Sequence, residues 1–170
     1  MTLSEFRTLY EFNDWANDRL GQMLYSAFGE ETNLRETGDP QVTAIQEAAV
    51  HIISSQSIWR NRLQGNSPTA FMDSTEYPTP LAIRMAFGAE RARFWGYFES
   101  LTAEEDLTQI LSFKTLDGTP YEMPVTQILQ HVITHGMYHR GQITGRLLDR
   151  GQEALLISTD LITFYRERGS

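Results

Sequence analysis

The sequence predicts an all-α protein: a four-helix bundle with a small β-hairpin or extended loop before the last long helix. Four long segments repeat apolar residues at helical spacing. Capping residues mark two of their starts and glycines mark most of their ends. One stretch, just before the last of them, breaks the pattern around a tight turn. A chain of 170 residues is long enough to bury a sizeable core. It carries no internal repeat, low-complexity tract or interdomain linker, so one domain over residues 1–170 is expected. The long 65–80 and 102–124 connections leave room for a crossover, so a simple up-and-down order is not required.

The first helix is expected from Leu3 to Ser26. Thr2 and Glu5 make a capping box, in which each side chain satisfies a free backbone N–H of the first turn. Phe6, Leu9, Tyr10, Trp15, Leu20, Met23 and Leu24 form its apolar stripe, and Gly29 lies beyond its end. Residues 30–40 are polar and close on Asp39-Pro40, a loop signature. The second helix runs from Gln41 or Thr43 to Gln64, with Gly65 as its stop. Ile45, Ala48, Ile52, Trp59 and Leu63 make its apolar face.

Pro68, Pro78 and Pro80 mark 66–80 as a loop. The third helix opens at Pro80 or Leu81, where Thr79 is a good N-cap and proline suits the first turn, and continues to about Leu101. Ile110 to Thr115 and Thr119 to Met123 flank Leu116-Asp117-Gly118, which reads as a hairpin or a tight extended loop. The fourth helix begins near Pro124 and stops at Gly151. A short helix around Asp160 to Arg166 is expected on the outside. The aromatics Trp15, Trp59, Phe94, Trp95 and Phe98 are expected in the core.

Composition excludes several kinds of function. There are 22 acids against 14 bases, a net charge of −8, which argues against a nucleic-acid partner. The absence of cysteine excludes disulfides, thiolate metal sites and a cysteine nucleophile. Lys114 is the only lysine, so Schiff-base chemistry is not expected. No serine–histidine–acid arrangement stands out. The N-terminus lacks a basic region followed by an apolar stretch, and no apolar run is long enough to span a membrane. A cytoplasmic protein with no membrane partner is expected.

The histidines carry the chemistry. His131, His135 and His139 fall at four-residue steps on the fourth helix, and His51 is the only other one. Residues four apart stand about 5–6 Å apart at Cβ, close enough for two imidazoles to share an ion. The first and third of the series are separated by about 12 Å along the axis, so one ion can take only an adjacent pair. With about 100° per residue and His135 at zero, Ile128, Val132, Val125, Ile143, Leu129 and Leu147 occupy an arc from about 20 to 120°. His139 falls at about 40°, inside that arc, His135 sits at its edge, and His131 lies about 40° beyond His135, outside it. The inward pair is therefore His135 with His139, and His131 flanks it. His51 lies at the edge of the second helix's apolar face, beside the small residues Ala44, Ala48 and Ser55, which leave room for an ion. Three histidines and an open position make a coherent metal site.

Neighbouring polar residues have two readings each. Gln142 and Arg146 follow His139 on nearly the same line, as substrate contacts or as a solvated rim. Glu47 stands one turn before His51, as a ligand-orienting acid or a surface one. Arg140 is expected in a structural ion pair. Gly141 and Gly145 permit a close helix contact. There is no H-E-x-x-H motif and no pair of E-x-x-H motifs, so a zinc protease and a ferritin-like di-iron centre are not expected.

The string His131-Val-Ile-Thr-His135-Gly-Met-Tyr-His139-Arg140-Gly141-Gln142-Ile143 resembles the DinB family, including its YfiT-like branch. Phe12-Asn13-Asp14-Trp15-Ala16-Asn17 is similar to that family's opening helix, and His51 with Trp59-Arg60-Asn61-Arg62-Leu63-Gln64-Gly65 to its second. The Asp117-Gly118 turn also fits, so the resemblance covers essentially the whole chain. It implies a four-helix bundle, often a homodimer, with a divalent metal on His51, His135 and His139. It also implies a small-molecule substrate. Some relatives are transferases or isomerases that use low-molecular-weight thiols, and others are described as metal-dependent hydrolases.

Two functions follow. The first is a metal-dependent enzyme, a thiol-dependent S-transferase or a hydrolase, whose nucleophile ionises on the metal. The alternative is a non-catalytic bundle in which the metal serves binding, sensing or stability. An open coordination position with a pocket beside it favours the first, and a closed shell the second. Zinc or nickel suits three histidines best, with iron and copper also compatible.

Overall fold

The computed structural model describes residues 1–169. Helices α1 (Leu3–Phe28), α2 (Pro40–Leu63), α3 (Pro80–Ser100) and α4 (Val125–Asp149) form a bundle. Strands β1 (Ile110–Lys114) and β2 (Pro120–Pro124) pair antiparallel between α3 and α4, and α5 (Leu161–Arg168) follows the bundle. The expected hairpin is therefore a true one, with Gly118 at a φ of 87° in its turn.

The caps explain most of the boundaries. Thr2 and Glu5 form the expected capping box, and Thr79 accepts the Ala82 N–H at 3.1 Å. The Asp39-Pro40 reading is corrected. These residues open α2 instead of closing a loop: Asp39 accepts the Gln41 N–H at 2.8 Å and Pro40 takes the first helical position. The residue before a proline is pushed to extended backbone, and an N-cap needs the same conformation.

Two core layers set the helix directions. One joins the start of α1 (Phe6, Tyr10), the end of α3 (Phe94, Phe98) and the start of α4 (Val125, Leu129), with Trp59 and Leu63 from the end of α2 against it. The other joins the end of α1 (Leu20, Leu24), the starts of α2 and α3 (Ile45, Ile83) and the end of α4 (Ile143, Leu147). So α1 and α4 run one way, and α2 and α3 the other. Both α1 and α2 pack mainly on α3 and α4, which sets α1 diagonally from α2.

Because α2 and α3 are parallel neighbours, the chain between them must return the length of the bundle. It does so along α2, held by buried polar groups. Gln46 donates to the Ser74 and Tyr77 carbonyls at 2.8 and 2.9 Å, and the Ser54 hydroxyl accepts the Met72 N–H at 2.8 Å. The return path brings Phe71 against His51, with ring centroids 5.0 Å apart.

A second correction concerns Arg140, which is fully buried and not in an ion pair. Its Nη1 donates to Asn13 and Asn17 Oδ1 at 2.9 and 2.8 Å, joining α4 to α1. Burial pushes its pKa down to about 10. Gly136, one turn earlier, makes room: a Cβ there would sit 2.9 Å from both Arg140 Nη1 and Asn13 Oδ1. Among the expected core aromatics, Phe94 and Phe98 are buried, while Trp15, Trp59 and Trp95 are partly exposed. Gly141 and Gly145 face open space and make no close contact within the chain.

Candidate metal centre

The antiparallel contact of α2 with α4 brings His51 opposite His135 and His139. His135 is central: its Nε2 lies 3.2 Å from His51 Nε2 and 3.2 Å from His139 Nε2. One ring nitrogen from each of the three falls within 4.8 Å of the others. A tetrahedral ion bonded to imidazole nitrogens at about 2.0–2.1 Å would hold them about 3.3 Å apart. The donor set and its spacing fit a divalent ion. Among the described residues, neither a carboxylate nor a fourth histidine joins the group.

Each ring is prepared differently. Burial, and then the neighbouring imidazoles of His139, His51 and His131, push the His135 pKa down to about 4. His51 is lowered by burial and by His139. Neutral rings are what a metal requires, since a protonated imidazole has no lone pair to give. His139 Nδ1 stands 2.8 Å from Gln142 Oε1, which is placed to accept its N–H and leave Nε2 free to face the other two.

The structure separates the remaining candidates. Gln142, expected at a substrate contact or a solvated rim, orients His139. Glu47 does not reach His51; its carboxylate pairs with Arg35 at 3.0 Å on the surface. Arg146 donates to Gln41 Oε1 at 2.7 Å. His131 stays outside the triad and packs edge-on against Trp59, with centroids 5.3 Å apart. Its pKa is lowered by burial and then by the Arg62 guanidinium.

A cavity of about 250 Å³ opens beside the triad, with His51, His131 and His135 on one wall. Ser55 and Ile58 continue that wall along α2, and Ala44 and Ala48 are not part of it. Phe71 from the return path and Leu116 from the hairpin turn also line it. Trp59, assigned to the core by its size, and Arg62, which drew no separate attention in the sequence, complete the lining. A signal for Arg62 existed. His51, Ser55, Ile58 and Arg62 follow a three-or-four-residue step, so they share one stripe of α2.

The profile of the DinB family matches residues 1–161, and the chain belongs to that family. No curated protein and no solved structure matches it.

Proposed function

We propose that this DinB-family chain is a metal-dependent enzyme, a thiol-dependent S-transferase or a hydrolase, with one divalent ion held by His51, His135 and His139. The observation that carries this reading is the convergence of three Nε2 atoms, two of them from the cavity-lining residues His51 and His135, with no fourth protein ligand among the described residues. When bound, a divalent ion held by neutral imidazoles supplies Lewis acidity and lowers the proton affinity of a water or thiol at its open position.

The chain's own residues do the rest. Crowding and burial keep the His135 ring neutral, and Gln142 holds His139 with Nε2 inward. Phe71 and Leu116 add apolar surface to the cavity beside the triad. The all-nitrogen donor set suits zinc or nickel, and also admits iron or copper. A small molecule fits the cavity, and a low-molecular-weight thiol is the co-substrate under the transferase reading. The cavity favours an enzyme over the non-catalytic alternative.

Elemental analysis of the purified protein should find one divalent ion per chain. Conjugation assays across several thiols, with ester hydrolysis in parallel, should show turnover that a chelator removes and added metal restores. Full turnover in metal-free protein would refute the mechanism. A stoichiometric ion with no turnover on any of these would move the assignment to the non-catalytic bundle.

The same reading includes a homodimer formed through α4. Tyr138, Gly141, Gly145 and Leu148 lie along one outward stripe of that helix, with Tyr138 64% and Leu148 48% exposed. The two glycines leave the backbone open to a second helix. Sedimentation equilibrium should give a dimer mass at micromolar concentration. A 19.5 kDa species alone would exclude it.

A further inference from the structure

Arg62 is buried, at 6% exposure, yet its guanidinium donates no hydrogen bond to any described side chain or carbonyl, and its Nε is fully enclosed without a partner. The other two buried arginines differ. Arg60 pairs with Glu90, and Arg140 with Asn13 and Asn17. Acids are plentiful in this chain, yet none lies within ion-pair distance of Arg62 among the described residues. Its two Nη atoms have no partner and, unlike Nε, are not enclosed, so they are free to meet a ligand. A charge largely withdrawn from water without a counter-ion is costly, so such a group is retained where something else answers it.

What surrounds Arg62 holds it ready for a ligand. The guanidinium carbon lies 4.5 Å from the Trp59 ring centroid and 4.8 Å from that of Phe113. The rings attract the cation but offer no hydrogen-bond acceptor in its plane. Arg62 and the triad members His51 and His135 line the same cavity. Helical side chains lean toward the N-terminus, which directs Arg62 back along α2 toward His51.

We infer that Arg62 is the anchor for an anionic substrate: the cavity takes a small molecule whose carboxylate pairs with the Arg62 guanidinium and whose other end reaches the histidine triad. The planar fork of a guanidinium matches a carboxylate with two parallel hydrogen bonds, which a lysine does not reproduce. Ile58, Trp59, Phe71 and Leu116 make much of the cavity wall apolar, so the body of the ligand is apolar. At about 250 Å³ the space lies below the range of about 300–1,000 Å³ that suits drug-sized molecules. A short carboxylic acid fits it. The inference rests on the reading of the triad as the reaction centre, but binding at Arg62 can be measured apart from catalysis and apart from the metal.

The test uses the full chain, metal-loaded and metal-depleted, with butyrate, succinate, benzoate and phenylacetate as probes and their amides as controls. Calorimetry reads the affinity, and elemental analysis of each variant reads the metal. At least one carboxylate should bind the loaded wild type, and its amide should bind more weakly by about tenfold to a hundredfold, the scale of a charge-assisted contact. Arg62→Met, which keeps an unbranched stem between the two rings, should lose that preference while retaining the ion. Arg62→Lys, which keeps the charge and loses the fork, should fold in any case and bind the carboxylate less tightly. Equal binding of acid and amide, an unchanged preference in both variants, or no binding by any probe would overturn the anchor. Arg62-dependent binding in both forms, by a chain that takes up no divalent ion even when one is supplied, would leave the anchor standing and sink the metal-dependent reading instead.

Discussion

His135→Ala is expected to abolish tight metal binding, whereas His131→Ala should retain one ion per chain. The geometry decides between them. His135 Nε2 is the atom within 3.2 Å of both other donors, so its loss leaves His51 and His139 without the ligand that joins them. His131 stands a turn away against Trp59 and outside the group of convergent nitrogens. His51→Ala and His139→Ala should behave like His135→Ala, because two remaining imidazoles do not make a stable three-ligand site. Gln142→Ala should be milder, weakening metal affinity by about tenfold to a hundredfold through a freely rotating His139 ring. Elemental analysis and competition with a chromogenic chelator read all five variants. Full stoichiometric metal in His135→Ala would eliminate the site.

The same histidine predicts a pH dependence in the metal-free protein. The folded pKa of about 4 lies below the ordinary 6.5, so the folded chain binds this proton less readily than the unfolded one. The neutral ring's contribution is fully present above about pH 6.5 and is lost as the pH falls toward 4. Allowing for solvent screening at a half-buried ring, the loss should be about 1–2 kcal/mol. Denaturant unfolding at pH 7 and pH 4.5 should show it in the wild type and show less of it in His135→Ala. Bound metal should add a steeper acid limb, since protons and the ion compete for the same lone pairs.

Local signals were the legible part of this fold. Capping residues and apolar stripes are read within one turn of helix, and they place the four long helices and the hairpin to within a few residues. The histidine set was legible for a related reason: the wheel on α4 selects His135 and His139 from intrahelical angles alone. One local signal was misread: Asp39-Pro40 suits a helix start as well as a loop end. The rest of what was not legible depended on packing between helices. The parallel run of α2 and α3 follows from two core layers that no single segment encodes. The partners of Arg140 are neutral carboxamides on α1, four residues apart at Asn13 and Asn17, so an ion pair was the wrong expectation for a buried guanidinium. Arg62 was hidden in plain periodicity. It shares the stripe of His51, but its lack of an acid partner appears only when the neighbouring helices and the hairpin are in place.

Arg60, two residues before Arg62, provides the second large expected effect, because its environment is the opposite one. It points toward α3, where Glu90 takes its Nε at 2.6 Å and its Nη2 at 3.2 Å, with Glu90 only 2% exposed. Glu90→Ala should cost about 3–5 kcal/mol, because it strands a buried guanidinium without its counter-charge. Gln64 Oε1, 3.0 Å from Arg60 Nη1, supplies one neutral acceptor and cannot replace a carboxylate. Glu90→Gln should cost less, since the amide oxygen still accepts one bond. The double variant Arg60→Met with Glu90→Leu should recover much of the loss, because it leaves no buried charge without its partner; Arg93, which also pairs with Glu90 at 3.8 Å, is exposed to water, and apolar side chains fill the gap. That non-additivity distinguishes a charge effect from a packing effect, as two independent cavities would add. The triad lies on α2 and α4, away from the contact with α3, so all three variants should keep their metal while their unfolding midpoints move. A loss below about 1 kcal/mol in Glu90→Ala, the range of an exposed pair, would mean that water reaches this contact and that α2 and α3 are held together by their apolar faces alone.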